Sequence, residues 1–166
     1  MLADEQHISS LVEELAGLLR QSGRTLATAE SCTGGWVSKA LTDLAGCSDW
    51  FGYGLVTYSN QAKQRLLGVG HDTLERYGAV SEQVVEEMAR GLLKLSGADL
   101  GLAVSGVAGP GGGSADKPVG TVWFAWSSRQ GDGIQVQTGL QRFSGDRESV
   151  RRQAVAFGLQ GLLPRA

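Results

Sequence analysis

The amino-acid sequence predicts an α/β protein, a three-layer α/β/α sandwich built around a mixed sheet. Segments with apolar side chains at helical spacing alternate with short runs rich in β-branched and aromatic residues. Two such β runs follow each other near the end of the chain, as the strands of an antiparallel pair would. No linker-like stretch divides the 166 residues, a length that suits one core, so we expect a single domain over residues 1–166.

The first four predicted elements alternate between helix and strand. Apolar side chains recur every three or four positions in residues 7–21, which predicts an amphipathic helix that ends at a Ser-Gly pair. Residues 25–29 are typical of a short buried strand, and residues 35–44 predict a second helix. The aromatic and β-branched run at 51–59 predicts another strand, whose glycines indicate a bulge or a close contact.

Capping residues mark the starts of helices in the second half of the chain. Ser59-Asn60 and Ser81 precede helical patterns and suit the N-cap position, where a side-chain oxygen accepts from a free backbone N–H. The predicted elements after residue 60 are, in order, helices 61–67, 72–77 and 81–95, strands 99–105, 119–127 and 133–143, and a helix at 146–163. With the earlier elements, this order predicts helices on both faces of a mixed sheet that ends in an antiparallel pair.

Composition excludes several classes of function. The formal net charge is −2 and no cluster of basic residues stands out, so we expect no nucleic-acid partner. No apolar run is long enough to cross a bilayer, and the acidic N-terminus lacks the order of a secretory signal. Cys32 and Cys47 show neither metal-ligand spacing nor a disulfide framework. These observations predict a soluble cytoplasmic protein that does not associate with membranes.

One predicted strand-to-helix turn combines a hydroxyl with a thiol. The sequence T-A-E-S-C-T-G-G at residues 28–35 puts Ser31 and Cys32 directly after the first predicted strand. The first turn of a helix leaves backbone N–H groups unsatisfied, so the same corner can present a nucleophile and bind an oxyanion. A plain tight turn with an N-cap side chain explains the pattern about equally well.

Within this turn, Ser31 is the favoured nucleophile. Cys32 is intrinsically more reactive, but it has no histidine partner, and a small buried cysteine behind a turn is commoner. Glu30, which precedes them, is either an orienting carboxylate or an acceptor for the amides of the turn.

Few groups are available to activate such a nucleophile. His7 lies on the first predicted helix and His71 is at the capping position of a predicted surface helix, both outside the loops that follow strands, which disfavours a Ser-His-Asp triad. The sequence shows no pattern of metal ligands, no P-loop and no dinucleotide-binding glycine motif. Lys63 lies in the first turn of a predicted helix, where the dipole and partial burial lower the pKa of an amine and allow it to act as a base. Tyr58 can relay the proton or orient the lysine, unless Lys63 is an ordinary surface residue and Tyr58 a core residue.

A glycine-rich loop follows the third predicted strand. Residues 105–114 read S-G-V-A-G-P-G-G-G-S, and their amides can wrap a phosphate or a carboxylate, with Lys117 as a further cation. Ligands of open α/β sheets bind beyond the carboxyl ends of the strands, so we expect this loop to meet the segments around Ser31 and Lys63. The alternative is a flexible surface loop with no ligand.

Five stretches spread over nearly the whole chain occur in a characteristic order. They are T-A-E-S-C-T-G-G at 28–35, V-T-Y-S-N-Q-A-K at 56–63, G-A-V-S-E at 78–82, S-G-V-A-G-P-G-G-G at 105–113 and K-P-V-G-T-V-W-F-A at 117–125. Together they resemble the C-terminal domain of the CinA family, and within it the stand-alone nicotinamide-nucleotide amidases. The resemblance implies an α/β/α fold and hydrolysis of the carboxamide of nicotinamide mononucleotide to nicotinate mononucleotide and ammonia, in pyridine-nucleotide salvage. It also implies a homo-oligomer that needs no metal and no organic cofactor.

By position, the resemblance assigns roles to residues at three turns. Ser31 is similar to the family's nucleophile, with Tyr58 and Lys63 as its activating partners. The residues expected around the oxyanion and the substrate are Glu30, Cys32, Thr33, Gly34, Gly35, Ser105, Gly106, Gly109 and Gly111. Longer family members carry a further N-terminal domain similar to molybdopterin-binding proteins, which we do not expect here, nor an ADP-ribose pyrophosphatase activity that depends on it. The alternative function is a nucleotide-binding or regulatory module without turnover.

Overall fold

Five strands form one mixed sheet in the computed structural model, which describes residues 4–166. They are β1 (Leu26–Glu30), β2 (Phe51–Val56), β3 (Leu100–Gly106), β4 (Thr121–Gln130) and β5 (Gly133–Arg142). Their order across the sheet is β2-β1-β3-β4-β5. β1 pairs in parallel with β2 and β3, whereas β4 runs antiparallel to both β3 and β5. The predicted mixed sheet with its antiparallel pair is therefore confirmed.

Helices cover both faces of this sheet within the described residues. The α-helices are α1 (Glu5–Ser22), α2 (Trp36–Thr42), α3 (Asn60–Leu67), α4 (His71–Tyr77), α5 (Glu82–Ser96) and α6 (Arg147–Leu162), with 3₁₀ turns at Cys47–Asp49 and Leu163–Arg165. One apolar core packs α1, α2 and α6 against the sheet, and a second packs α3, α4 and α5 against it. The three-layer α/β/α sandwich is confirmed.

Burial follows the periodicity that the sequence shows. The buried residues of α5 recur at helical spacing: Val84, Val85, Met88, Ala89, Leu92 and Leu93. All residues of β1 are buried, as expected of a parallel strand with helices on both faces. Between residues 4 and 166, no helix is long and apolar enough to cross a membrane.

The second strand ends earlier than predicted, and its early end shapes the site. β2 stops at Val56 rather than at residue 59. The Thr57 N–H still donates to the Glu30 carbonyl at 2.8 Å, and Ser59 then caps α3. The first turn of α3 therefore lies beside the end of β1. Because β1, β2 and β3 are parallel, their carboxyl ends meet at one edge of the sheet, where a ligand site is expected.

Candidate active site

Ser31 and Lys63 meet at the edge where β1 ends. Ser31 directly follows β1, and its N–H donates to the Val104 carbonyl of β3 at 3.0 Å, which holds the turn onto the sheet. Lys63 lies in the first turn of α3, and its Nζ donates to Ser31 Oγ at 2.9 Å. Both residues are buried, with 8% and 1% of their surface exposed. The structure thus brings together the two residues that the sequence suggests as nucleophile and base.

The surroundings of Lys63 favour an uncharged amine. Its Nζ also donates to the carbonyls of Thr57, at 2.7 Å, and Tyr58, at 3.3 Å. In the described part of the chain, no carboxylate forms an ion pair with it. Burial removes the ammonium from water and lowers the pKa of Lys63 from 10.5 to about 8. Some neutral amine is therefore present at physiological pH.

Tyr58 contributes its backbone rather than its hydroxyl to this pair. Its carbonyl is one of the acceptors of Lys63, but its hydroxyl accepts from Arg147 Nη2 at 3.1 Å. The residue is 58% exposed. Of the two roles expected for Tyr58, the contacts favour orientation of the lysine, through the carbonyl, because the hydroxyl turns toward α6.

Glu30 caps the N-terminus of α2 with its carboxylate. Its carboxylate is fully buried; Oε2 accepts from the N–H groups of Gly35 and Val37, both at 3.0 Å. Oε1 accepts from the Ser38 N–H at 2.8 Å and from the Ser38 hydroxyl at 2.9 Å. The helix dipole favours an anion at this position. Of the two roles considered for Glu30, the structure shows the acceptor for turn amides.

The backbone N–H groups of the turn after β1 differ in whether they are free to bind an oxyanion. Gly34 and Gly35 have φ angles of +60° and +95°, which only glycine adopts readily, and both N–H groups are already engaged. The Gly34 N–H donates to the Ser31 carbonyl at 3.0 Å, and the Gly35 N–H is held by Glu30. Within the turn as described, the N–H groups of Cys32 and Thr33 have no acceptor on another residue. The two glycines therefore shape the turn, and the free donors belong to Cys32 and Thr33.

The thiol of Cys32 lies in an environment that makes it unreactive. Only 5% of the residue is exposed, and burial raises the pKa of its thiol to about 12. The nucleophilic thiolate is therefore scarce at physiological pH. This environment favours Ser31 over Cys32, the same preference that the sequence gives.

The side chains of Ser105 and Lys117 donate hydrogen bonds to backbone carbonyls. The Ser105 hydroxyl donates to the Ala79 carbonyl at 2.8 Å, and Lys117 Nζ donates to the Tyr77 carbonyl at 2.5 Å. The first contact holds the α4–α5 connection against β3, and the second holds the end of α4 against the loop between β3 and β4. The substrate-binding role expected of Ser105 and the cationic role considered for Lys117 stay predictions.

A cleft of about 270 Å³ opens between the glycine-rich loop and the start of α6. The residues that line it are Cys32, Tyr58, Val80, Gly106, Val107, Ala108, Gly109, Gly111, Gly112 and Arg147. Its volume is close to the lower limit of small-molecule sites, about 300 Å³. Arg147 donates to the Gly109 carbonyl at 2.7 Å, so its guanidinium forms a cationic wall of the cleft. Four of the residues predicted around the oxyanion and the substrate line this space: Cys32, Gly106, Gly109 and Gly111.

Sequence reasoning missed two arginines of α6. Arg147 lines the cleft, and Arg151 donates to the carbonyls of Cys32, at 3.1 Å, and Thr33, at 3.0 Å. Residues four apart share one face of a helix. A cation in the first turn of a helix also opposes the dipole, and that unfavourable position was a signal available in the sequence.

The sequence matches a known protein family over nearly its whole length. A model of the CinA C-terminal domain matches residues 8–165. The chain belongs to the CinA C-terminal domain family. Among similar proteins, nicotinamide-nucleotide amidohydrolase PncC of Enterobacter agglomerans is 56% identical over 159 residues, which are 96% of this chain and 95% of that protein. The protein of the same name from Escherichia coli is 54% identical over 95% of this chain and 94% of its own length.

Other members of the CinA family are longer, and solved structures share the fold. A CinA-like protein of Akkermansia muciniphila is 49% identical over 93% of this chain, a stretch that covers 37% of that protein. A CinA superfamily protein of Escherichia coli superposes with a TM-score of 0.91 at 42% identity, covering all of this chain and 94% of the other. The competence damage-inducible protein A of Klebsiella pneumoniae gives a TM-score of 0.90 at 44% identity, covering 95% and 96%.

Proposed function

We propose that this CinA-family chain is an amidohydrolase that converts nicotinamide mononucleotide and water into nicotinate mononucleotide and ammonia. The relatives that are 54% and 56% identical bear the name nicotinamide-nucleotide amidohydrolase. The observation that carries the proposal is the buried 2.9 Å contact between Lys63 Nζ and Ser31 Oγ. The reaction serves pyridine-nucleotide salvage, and its steps call on no metal and no organic cofactor.

Lys63 acts as the base because its other contacts orient it. A neutral amine has two protons and one lone pair. The carbonyls of Thr57 and Tyr58 can only accept, so they take both protons and leave the lone pair for the hydroxyl proton of Ser31. Lys63 removes this proton as Ser31 Oγ attacks the carboxamide carbon.

The free amides of the turn stabilise the charge that forms on the carboxamide oxygen. The N–H groups of Cys32 and Thr33 stand next to the attacking hydroxyl in the chain and have no acceptor on another of the described residues. Fixed donors of this kind need no reorganisation when the oxyanion forms.

The remaining steps return the proton and consume one water. The Lys63 ammonium gives its proton to the carboxamide nitrogen, the C–N bond breaks, ammonia leaves, and a nicotinoyl ester stays on Ser31. Lys63, neutral again, takes a proton from a water that attacks the ester carbon. The proton passes to Ser31 Oγ as the ester bond breaks, which releases the carboxylic acid and restores the enzyme.

The cleft beside the Ser31–Lys63 pair binds the rest of the nucleotide. Arg147 supplies a cation for the phosphate, and the glycine-rich loop lets backbone amides approach it closely. The Tyr58 hydroxyl, held by Arg147, lines the same cleft. We therefore assign the Tyr58 hydroxyl to substrate binding and its carbonyl to the orientation of Lys63.

We further propose that the chain works as a homo-oligomer in the cytoplasm. Within residues 4–166 the edge strand β2 pairs only with β1, and Tyr53 and Val56 on it are 46% and 48% exposed. An unpaired strand edge is a template for pairing with another chain. A phosphorylated nucleotide does not cross membranes unaided, which favours a location where such nucleotides are made.

Replacement of the Ser31 hydroxyl tests the proposed reaction. Ammonia release from nicotinamide mononucleotide is measured for the wild type, Ser31→Ala and Ser10→Ala, the last at an exposed position on α1. We expect Ser31→Ala to lose at least about a thousandfold in kcat, as other serine hydrolases do, with an unchanged melting temperature. Ser10→Ala is expected to match the wild type.

Two outcomes would contradict this proposal in different ways. A wild type that binds the nucleotide without releasing ammonia would indicate a nucleotide-binding or regulatory module. A Ser31→Ala variant with wild-type ammonia release would move the nucleophile to Cys32 or to a directly activated water.

A further inference from the structure

Arg151 holds the carbonyl side of the turn that follows β1. Its Nε donates to the Cys32 carbonyl at 3.1 Å, and its Nη2 donates to the Thr33 carbonyl at 3.0 Å. Its guanidinium also lies over the Trp36 ring, with 5.4 Å between Cζ and the ring centroid. Two hydrogen bonds and one stacking contact fix the orientation of this side chain.

The Cys32 carbonyl belongs to the same peptide unit as the Thr33 N–H. In a trans peptide the C=O and N–H groups point in opposite directions. A guanidinium bound to the Cys32 carbonyl therefore fixes the direction of the Thr33 N–H, and it polarises that N–H through the peptide. This N–H is one of the two free donors of the turn.

Other groups restrain the neighbouring peptide units through their N–H groups. The Gly34 N–H donates to the Ser31 carbonyl, and the Gly35 N–H donates to the Glu30 carboxylate. The Cys32–Thr33 unit has no such restraint on its N–H among the described contacts, so Arg151 restrains it from the carbonyl side. A Cβ at Gly34 would lie 3.3 Å from Arg151 Nη2, so the close approach of the guanidinium also depends on this glycine.

We propose that Arg151 is a positioning residue for the oxyanion, acting through the Cys32–Thr33 peptide rather than by contact with the substrate. The inference rests on the proposed amide hydrolysis. The described hydrogen bonds of Arg151 reach neither Ser31 Oγ nor Lys63 Nζ. Loss of Arg151 therefore weakens stabilisation of the transition state, and it leaves the titration of the base and ground-state binding nearly unchanged.

Arg151→Ala and Arg152→Ala form a matched pair of variants. The Arg152 guanidinium also lies near the Trp36 ring, at 6.0 Å, but it pairs with Glu148 rather than with the turn. With nicotinamide mononucleotide, we expect Arg151→Ala to lower kcat about 10- to 100-fold, less than or comparable to the loss of an oxyanion donor. KM is expected to stay within about twofold, and Arg152→Ala is expected to match the wild type.

Two further measurements separate positioning from a merely structural role. The pH midpoint of kcat/KM is expected to be the same in Arg151→Ala and in the wild type. Arg151 lines a second surface cleft of about 310 Å³ with Gly34 and Trp36, which leaves room for a small cation once the side chain is removed. Millimolar guanidinium is therefore expected to restore part of kcat in Arg151→Ala and to leave Arg152→Ala unchanged.

Several results would overturn the inference. An unchanged kcat in folded Arg151→Ala, with only a lower melting temperature, would leave Arg151 a structural residue. A raised KM at constant kcat would indicate that Arg151 contacts the substrate. A shifted pH midpoint of kcat/KM would indicate that Arg151 acts by changing the pKa of Lys63. If Arg151→Ala does not fold, the same kcat, KM and pH midpoint are measured on Arg151→Lys. We expect its kcat to lie between those of the wild type and a variant without a cation, because an ammonium replaces the guanidinium that donates to both carbonyls. Failure of the proposed function itself is read separately, as a wild type that releases no ammonia.

Discussion

Lys63 is 1% exposed, and its three acceptors are two backbone carbonyls and a hydroxyl, none of which carries a charge. A carboxylate in their place would stabilise the ammonium and raise its pKa. The fall from 10.5 to about 8 corresponds to roughly 3 kcal/mol in favour of the neutral amine. At the scale of one residue, burial of Lys63 therefore destabilises the folded protein when this amine is protonated, and it makes the neutral amine available as a base near neutral pH.

The pH dependence of turnover follows from this pKa. Only neutral Lys63 accepts the Ser31 proton, so we expect kcat/KM to rise about tenfold per pH unit below pH 8 and to level off above it. At pH 7 roughly one tenth of the sites would be active. The measurement is ammonia release between pH 6.5 and 9.5 at constant ionic strength. A rate that falls over this range, or a midpoint near 6.5 as for histidine, would contradict Lys63 as the base.

At the scale of one element, α2 depends on Glu30 for its start. The helix has seven residues and no side-chain cap of its own, and its N-cap is Gly35. The buried Glu30 carboxylate supplies the acceptors for the N–H groups of Gly35, Val37 and Ser38. Hydrogen bonds to a charged group are worth more than neutral ones, so this carboxylate is a main support of the turn.

Glu30→Gln is expected to lower the free energy of unfolding by about 2–4 kcal/mol. A glutamine nitrogen would face backbone N–H groups, so hydrogen bonds that the second carboxylate oxygen accepts are replaced by contacts between donors. Chemical denaturation measures the change. Asp43→Asn is the control, because Asp43 forms an exposed pair with Lys39 and is expected to change stability by less than about 1 kcal/mol. A Glu30→Gln protein with wild-type stability but no activity would instead place the carboxylate against the substrate.

Local patterns located the elements, although β2 ends earlier than they predict, and they identified only part of the site. Helical periodicity and caps located the helices, and the strand-to-turn pattern singled out Ser31 and Lys63. The direction of the Tyr58 hydroxyl depends on Arg147, which is far along the chain and whose contact with Tyr58 no local pattern reports. Likewise, the capping of α2 by Glu30 uses up amides that the sequence makes available to an oxyanion, because a buried carboxylate must find donors.

At the scale of the whole molecule, the strand order explains why distant segments meet. β1 lies between β2 and β3, so the turn after β1 adjoins both the start of α3 and the glycine-rich loop. α6 packs in the same layer as α1 and α2 and brings Arg147 and Arg151 from the end of the chain. In the part of the chain that the structure describes, the sheet has two unpaired edges, β2 and β5, and these edges differ in chemistry. β2 has no charged residue and exposes Tyr53. β5 carries several glutamines along its length and ends at Arg142.

The proposed homo-oligomer is expected to form along the β2 edge. A Tyr53→Lys substitution would place like charges near each other across a symmetric interface, which costs several kcal/mol and raises the dissociation constant at least about a hundredfold. Sedimentation velocity over a range of concentrations measures the change. Leu140→Lys, a similar substitution on β5 at a residue that is 40% exposed, is the matched control and is expected to leave the assembly intact. A wild type that sediments as a single chain would refute self-association, and dissociation by Leu140→Lys alone would move the interface to the opposite edge of the sheet.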